Sequence, residues 1–259
     1  AQDSDDGVRL GAAGNTSTPA HMLAALGKDG AKGVRREVAG NTSTPPTTLN
    51  ALARDPDGSD YRSVRANVAG NASTPPETLL ALARDPDASV RRSFSDNRAA
   101  PPEALAALAG DSDDRVRATI AENPSTPAAV LAVLAADRVT EVRSCVATNS
   151  STPETILASL ARDSDAAVRT RLFWRASIPM EILCILARDP AVEVRRQLTQ
   201  RASLPLAVIR ILATDSVAYI RTSMAGNPLT PVDVFLALAA DSDRAVRQAV
   251  VATTTPTEA

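Results

Sequence analysis

Apolar and polar positions follow one another along the chain in a fixed order that returns every 26 residues, with a single step of 30 between Val34 and Val64. A Val-Arg pair, a proline and a leucine seven residues after that proline recur in this register, and ten copies are visible, the last incomplete. Self-similarity at such a period is typical of repeat proteins in which each copy is one supersecondary unit. We therefore expect an array of similar units rather than one compact domain.

The first half of each copy predicts a short helix. In the clearest copy, Asp85 is a good N-cap and Pro86 suits the first helical position. Val90 and Phe94 then share one helix face at the i, i+4 spacing. Asn97 ends the segment, since asparagine tolerates the left-handed backbone conformation in which helices often end.

The second half of each copy predicts another helix, which starts at a Ser-Thr-Pro motif. We expect Thr74 to cap it, Pro75 to be its first residue, and Glu77 to complete a capping box. Leu79 and Leu82 form its apolar stripe. Helices this short are marginal alone in water, so the pairs must stack on one another. The prediction is an all-α solenoid of about ten helix-pair repeats without β-sheet, with residues 1–259 forming a single repeat array and both terminal repeats incomplete.

Two copies carry a resemblance to a known family: NASTPPETLLALARDPDASVR and NPSTPAAVLAVLAADRVTEVR. They resemble the bacterial leucine-rich repeat variant family, whose units are related to HEAT and armadillo repeats. The resemblance covers nearly the whole chain and implies a right-handed superhelix of helix pairs. One family member carries an iron–sulfur cluster in a Cys-rich N-terminal segment. Such a segment is missing here, and Cys145 and Cys184 occupy different repeat positions, so no cofactor is expected.

Composition and charge argue against membrane-spanning, metal-binding and polyanion-binding proteins. The longest apolar runs are far shorter than a membrane span, and one His and two Cys cannot build a multi-histidine or four-thiolate metal site. Twenty-eight basic and thirty acidic residues give a net charge of −2, which argues against a global field for polyanions. The low cysteine content and the lack of a signal peptide favour a cytoplasmic location.

Two charged columns, each defined as one position across the copies, predict structural pairing. Aspartate starts each copy and arginine follows six residues later, as at Asp85 and Arg91, or ten residues later in the copy that has the insertion. We expect these arginines to bond aspartates or backbone carbonyls within or between adjacent units. The asparagine column, represented by Asn97, should satisfy loop backbone. His21, Cys145 and Cys184 fit no catalytic arrangement, and no phosphate-binding or nucleophile motif is present, so no enzymatic activity is expected.

Most departures from the columns gather in the seventh and eighth copies. Trp174-Arg175 and Gln200-Arg201 replace the usual Gly-Asn, and aliphatic residues replace the usual threonine and the residue after the proline. Equivalent positions in adjacent units lie roughly 10 Å apart, so the changed residues should form one exposed patch. Trp and Arg are enriched in binding hot spots. We predict a partner-binding patch made of Trp174, Arg175, Ile178, Met180, Arg201, Leu204 and Leu206. The alternative is that these residues fill a local packing gap.

These observations favour a non-enzymatic scaffold for protein–protein interaction, with a partner that the sequence does not identify. Three alternatives remain open. One is a HEAT-like nucleic-acid-binding protein, including the base-excision type, which the near-neutral charge disfavours. The others are an accessory array of a larger protein and end-to-end self-association through the terminal units. The four-residue insertion at Gly58–Tyr61 predicts a surface loop.

Overall fold

The computed structural model of the protein describes residues 3–56, 63–201 and 203–254. It divides into two compact units, Ala1–Thr152 and Pro153–Ala259, here called unit 1 and unit 2. The described part of unit 1 contains eleven α-helices: α1 Asp6–Gly14, α2 Ala20–Leu26, α3 Lys32–Gly40, α4 Pro46–Leu52, α5 Val64–Gly70, α6 Pro76–Leu82, α7 Ala88–Arg92, α8 Pro102–Leu108, α9 Asp114–Glu122, α10 Ala128–Leu134 and α11 Thr140–Thr148.

The described part of unit 2 contains eight α-helices: α12 Glu154–Leu160, α13 Ala166–Arg171, α14 Met180–Leu186, α15 Val192–Thr199, α16 Leu206–Leu212, α17 Ala218–Ala225, α18 Val232–Ala239 and α19 Arg244–Thr254. Short 3-10 turns at Ser93–Ser95 and Leu172–Trp174 continue α7 and α13. The described residues contain no strand, which confirms the all-α solenoid of helix pairs.

Equivalent helices stack on one another within each unit. In unit 1 each first helix packs on the next, from α1 on α3 to α9 on α11, and within unit 2 α13, α15, α17 and α19 pack on one another in the same way. Val90, Phe94, Leu79 and Leu82 are all buried, as their spacing predicted. That residues 1–259 form a single array stays a prediction, and the insertion at Gly58–Tyr61 lies outside the described residues.

The first helices begin two residues later than the sequence indicated. The N-cap of α7 is Asp87, whose carboxylate accepts a hydrogen bond from Ser89 N at 2.8 Å. Asp85 instead accepts a hydrogen bond from Asp87 N at 2.9 Å and pairs with Arg65. The expectation that Asp85 caps the helix was therefore wrong, because an inter-repeat cation uses the same carboxylate.

The second helices begin one residue later than expected, and without a capping box. Pro75 is the N-cap of α6 and makes no side-chain cap hydrogen bond. The hydroxyl of Thr74 donates to the carbonyl oxygen of Val68 at 2.7 Å, and this side chain is buried. The predicted capping role of Thr74 and Glu77 was wrong because the threonine satisfies the C-terminus of the preceding helix.

Candidate interaction surface

Arginine and aspartate form a ladder along one edge of each unit, which we call the Arg–Asp ladder. Arg91 Nη1 donates to the backbone oxygen of Asp85 in its own repeat at 2.7 Å. Its Nε and Nη2 donate to the carboxylate of Asp111 in the next repeat at 2.6 and 3.0 Å. The same two-oxygen pairing recurs across both units: Arg9–Asp29, Arg35–Asp55, Arg65–Asp85, Arg117–Asp137, Arg169–Asp189, Arg195–Asp215 and Arg221–Asp241.

The ladder confirms that these arginines are structural. Bidentate guanidinium–carboxylate pairing provides charge attraction and also fixes the register of one repeat on the next. The Arg117 guanidinium lowers the pKa of Asp137, and Arg221 likewise lowers the pKa of Asp241. These cations are engaged with carboxylates and carbonyls, so they do not form a basic stripe open to phosphates.

A second ladder, the asparagine ladder, runs along the opposite, loop edge of unit 1. Asn97 Nδ2 donates to Ala69 O at 2.7 Å and to Asn71 O at 3.1 Å, both in the preceding repeat. Its Oδ1 accepts a hydrogen bond from Ala99 N at 2.9 Å. Four further residues share the arrangement: Asn41, Asn71, Asn123 and Asn149. The predicted role of the asparagine column in satisfying loop backbone is thus confirmed for unit 1.

Repeats seven and eight of unit 2, which start at Asp163 and Asp189, lack this asparagine. Arg175 and Arg201 stand in the asparagine column, and both side chains are half-buried. Their backbone N–H groups donate to Leu172 O at 3.3 Å and Leu198 O at 3.1 Å. Burial lowers the pKa of Arg175 below its ordinary value.

Ile178 and Leu204 are buried, at 8% and 3% exposure, so the expectation that they lie in an exposed patch is corrected. They occupy the threonine column, whose members, such as Thr126, are also buried and turn inward to bond a helix carbonyl. The two aliphatic side chains therefore fill apolar space at this position. They support the loop edge from beneath and do not offer surface to a partner.

The other apolar members of the predicted patch are exposed. Trp174 is 72% exposed, Met180 60% and Leu206 56%. Trp174 ends the 3-10 turn after α13, and the guanidinium carbon of Arg171 lies 4.1 Å above the centre of its ring. Met180 and Leu206 begin α14 and α16, which pack against each other. The structure thus places three of the predicted residues in solvent, although on different helix layers.

Sequence reasoning missed three exposed residues of unit 2 and the half-buried Arg171. Val232 begins α18 in the position equivalent to Met180 and Leu206 and is 76% exposed. Tyr219 is 55% exposed, Arg196 is exposed, and Arg171 covers the tryptophan ring. The signal that could have found them is the column itself: the residue after the proline is aliphatic in three successive copies, 180, 206 and 232.

Metal sites, membrane-spanning helices and deep clefts have no support in the described residues. Within residues 3–56, 63–201 and 203–254, no group of three or more His, Cys, Asp or Glu side chains is arranged to hold a metal ion. No helix in that part of the chain is long and apolar enough to cross a membrane. The clefts are shallow grooves between neighbouring repeats, such as one of about 530 Å³ lined by Asp163, Arg169, Cys184 and Asp189.

Comparisons with known proteins agree with this architecture. Residues 62–87 match the family model described as leucine rich repeat variant. A solved structure entitled a leucine-rich repeat variant with a novel repetitive protein structural motif is 28% identical, with a TM-score of 0.60, covering 87% of this chain and 88% of its own. A search of curated proteins found no match.

Two further solved structures show weaker likeness. An engineered protein is 19% identical with a TM-score of 0.37, covering 97% of this chain and 95% of its own. A computationally designed armadillo repeat protein for modular peptide recognition is 14% identical with a TM-score of 0.15, covering 90% and 80%. TM-scores this low add nothing to the fold. The matched repeat and the leucine-rich repeat variant structure confirm the resemblance read from the repeats: the chain is a helical repeat protein that is similar to a leucine-rich repeat variant.

Proposed function

We propose that the protein is a non-enzymatic interaction scaffold that binds a protein partner through repeats seven and eight. The observation that carries this proposal is the exposure of three large apolar side chains, Trp174, Met180 and Leu206, at positions where the repeats of unit 1 hold small, polar or proline residues. Exposed Trp and Met side chains cost solubility unless a partner covers them, and both are enriched in interface cores. Arg175 and Arg201 supply hydrogen-bond donors beside them.

The binding set drawn from the sequence is revised accordingly. Trp174, Arg175, Met180, Arg201 and Leu206 remain candidate contact residues. Ile178 and Leu204 support them from the interior, and we expect their replacement to affect folding before it affects binding. Nucleic-acid binding through the arginine column gains no support, because those arginines are held by the Arg–Asp ladder.

A peptide-display selection tests the proposal without assuming any partner chemistry. Peptides selected on the wild-type protein should lose binding to the triple variant Trp174→Ala, Met180→Ser, Leu206→Ser. The matched control is Val133→Ser, which removes a 63% exposed aliphatic side chain from unit 1. Both proteins should keep the wild-type melting temperature. Selected peptides that bind the triple variant as well as the wild type would refute this surface.

A further inference from the structure

The exposed face of the first helices differs in charge between the two units. This face is made by the residues one before and two, three and six after the buried column valine or isoleucine. The asparagine-column residue borders it and is buried in repeats two to five and half-buried in repeats seven to nine. In repeats two to five the face and its border carry three arginines and three carboxylates: Arg36, Arg92, Arg115, Glu37, Asp96 and Glu122. In repeats seven to nine they carry four arginines and one carboxylate: Arg171, Arg175, Arg196, Arg201 and Glu193.

Trp174 lies on this basic face of unit 2. In unit 1, the residue six after the column valine or isoleucine contacts the residue three after the valine of the next repeat. A Cβ at Gly40 would lie 3.3 Å from Asn67 Oδ1, and Cys145 Sγ lies 3.3 Å from Glu122 Oε1. The same register puts Trp174 beside Gln197, with Arg196 next to it in the chain. Arg171 stacks on the indole from its own helix, so one face of the ring lies against a guanidinium group.

Arg196 and Arg201 are the two cations of this face that we assign to contact with a ligand. Arg196 is exposed, and neither it nor Arg201 has an ion-pair partner among the described residues. Tyr219 adds a second exposed ring on α17. The face therefore combines guanidinium groups, two exposed aromatic rings and the amides of Gln197 and Gln200.

We infer that this face of repeats seven to nine binds a short acidic peptide segment that carries apolar side chains. The inference rests on the proposed function and names the chemistry of its partner. Guanidinium groups recognise carboxylates bidentately, and an exposed Trp offers the apolar anchor that such pairs surround. Equivalent positions in adjacent repeats lie roughly 10 Å apart. Three residues of an extended peptide span about the same distance, so a peptide with a carboxylate at every third residue matches the spacing of the repeats.

A peptide fits this face better than a nucleic acid does. Single-strand binders stack successive bases on closely spaced aromatic platforms, whereas here the rings of Trp174 and Tyr219 lie two repeats apart along the array. The excess of positive charge is also local. Residues 163–214 hold eight arginines and five carboxylates, but the whole chain has a net charge of −2. Fields of exposed charges decay within about 8–10 Å, so a short segment meets the basic face alone.

The single tryptophan of the chain provides the measurement. Its fluorescence is followed while the full chain is titrated with a Trp-free and Tyr-free peptide of about twelve residues, Glu-Leu-Ser repeated. We expect saturable binding that weakens as salt is added. The same peptide with Gln in place of Glu should bind about tenfold more weakly, since bidentate charge pairing is lost. The same peptide with Lys in place of Glu, and an oligothymidylate of equal length, are titrated in the same way.

Charge-reversal variants locate the binding. The double variant Arg196→Glu, Arg201→Glu should weaken the acidic peptide by about tenfold or more, consistent with the loss of two charge-assisted contacts. Arg92→Glu changes the matching first-helix position in unit 1 and should leave the affinity unchanged. Equal binding of the Gln peptide, tighter binding of the oligothymidylate, or equal loss in the Arg92 variant would each overturn the inference.

The two proposals fail separately. If the acidic peptide does not bind but the display selection yields Trp174-dependent ligands of another chemistry, the acidic class is wrong and the scaffold function stands. If the selection also yields nothing that depends on Trp174, both are wrong.

Discussion

The loop edge of unit 1 and the loop edge of repeats seven and eight solve the same backbone problem in different ways. In unit 1, Asn97 and its equivalents satisfy carbonyls of the preceding repeat with buried side-chain amides. In repeats seven and eight, arginine occupies that column, and Ile178 and Leu204 fill the space beneath with apolar volume. At this edge, apolar volume in the threonine column thus replaces a buried hydroxyl, and arginine replaces a buried amide.

Acid should weaken both regions together, because they share the Arg–Asp ladder, and collectively this is the largest expected effect. Arg117 and Arg221 lower the pKa of Asp137 and Asp241 below the unfolded value. A depressed folded pKa contributes stability that is present above the unfolded value of about 3.9 and is lost as the pH falls through the folded pKa. The melting temperature should therefore stay level from neutral pH to about pH 5 and fall below about pH 4. A melting temperature that stays constant to pH values well below about 4 would contradict the stabilising role of the Arg–Asp ladder.

Removing one ladder arginine should cost the same in either unit. Arg117→Ala and Arg195→Ala each leave a buried aspartate carboxylate without its bidentate partner, which costs about 3–5 kcal/mol. Urea denaturation, followed by circular dichroism, measures the loss. Arg210→Ala is the control, because its pair with Asp233 is exposed and should contribute less than about 1 kcal/mol. Unequal losses at Arg117 and Arg195 would show that the ladder is not a common framework.

The asparagine ladder should separate the two regions. Asn97→Ala leaves the carbonyl of Ala69 and the N–H of Ala99 without partners and removes one of the two hydrogen bonds to Asn71 O, at a cost of about 2–4 kcal/mol. Asn227→Ala in unit 2 is the matched change. Asn227 is half-buried, and its side chain accepts one hydrogen bond, from Leu229 N. We expect less than about 1 kcal/mol there. Similar denaturation midpoints for the two variants would remove the contrast between the regions.

The threonine column tests whether hydrogen bonding and apolar burial are interchangeable. Thr126→Val keeps the side-chain shape but removes the bond to Ile120 O, and should cost about 1–2 kcal/mol. Ile178→Val removes one buried methylene at the equivalent position and should cost about 0.5–1.5 kcal/mol. Thermal unfolding of the two variants makes the comparison. A loss at Thr126 alone would mean that Ile178 contributes no packing energy to repeat seven.

The sequence predicted the repeat, the helix pairs and the pairing of the charged columns, because periodicity reports which faces are buried. It misplaced Asp85 and Thr74 because both side chains have two available roles, capping their own helix or bonding a neighbour. Only three-dimensional stacking selects between those roles. Ile178 and Leu204 were expected in solvent because a single sequence does not show that the threonine column points inward. Arg171 escaped notice because its place above Trp174 depends on the 3-10 turn that brings the two together.

The smallest expected effect on stability is the one that bears most directly on function. Trp174 and Phe94 both lie in 3-10 turns that continue a first helix, but Phe94 is fully buried whereas Trp174 is 72% exposed. Phe94→Ala should cost about 3–5 kcal/mol, as large-to-small changes in a core do. Trp174→Ala should change the unfolding free energy by less than about 0.5 kcal/mol, as exposed positions do. If Trp174→Ala instead destabilises the chain as Phe94→Ala does, the ring is a packing element, and the case for a binding surface in repeat seven loses its central residue.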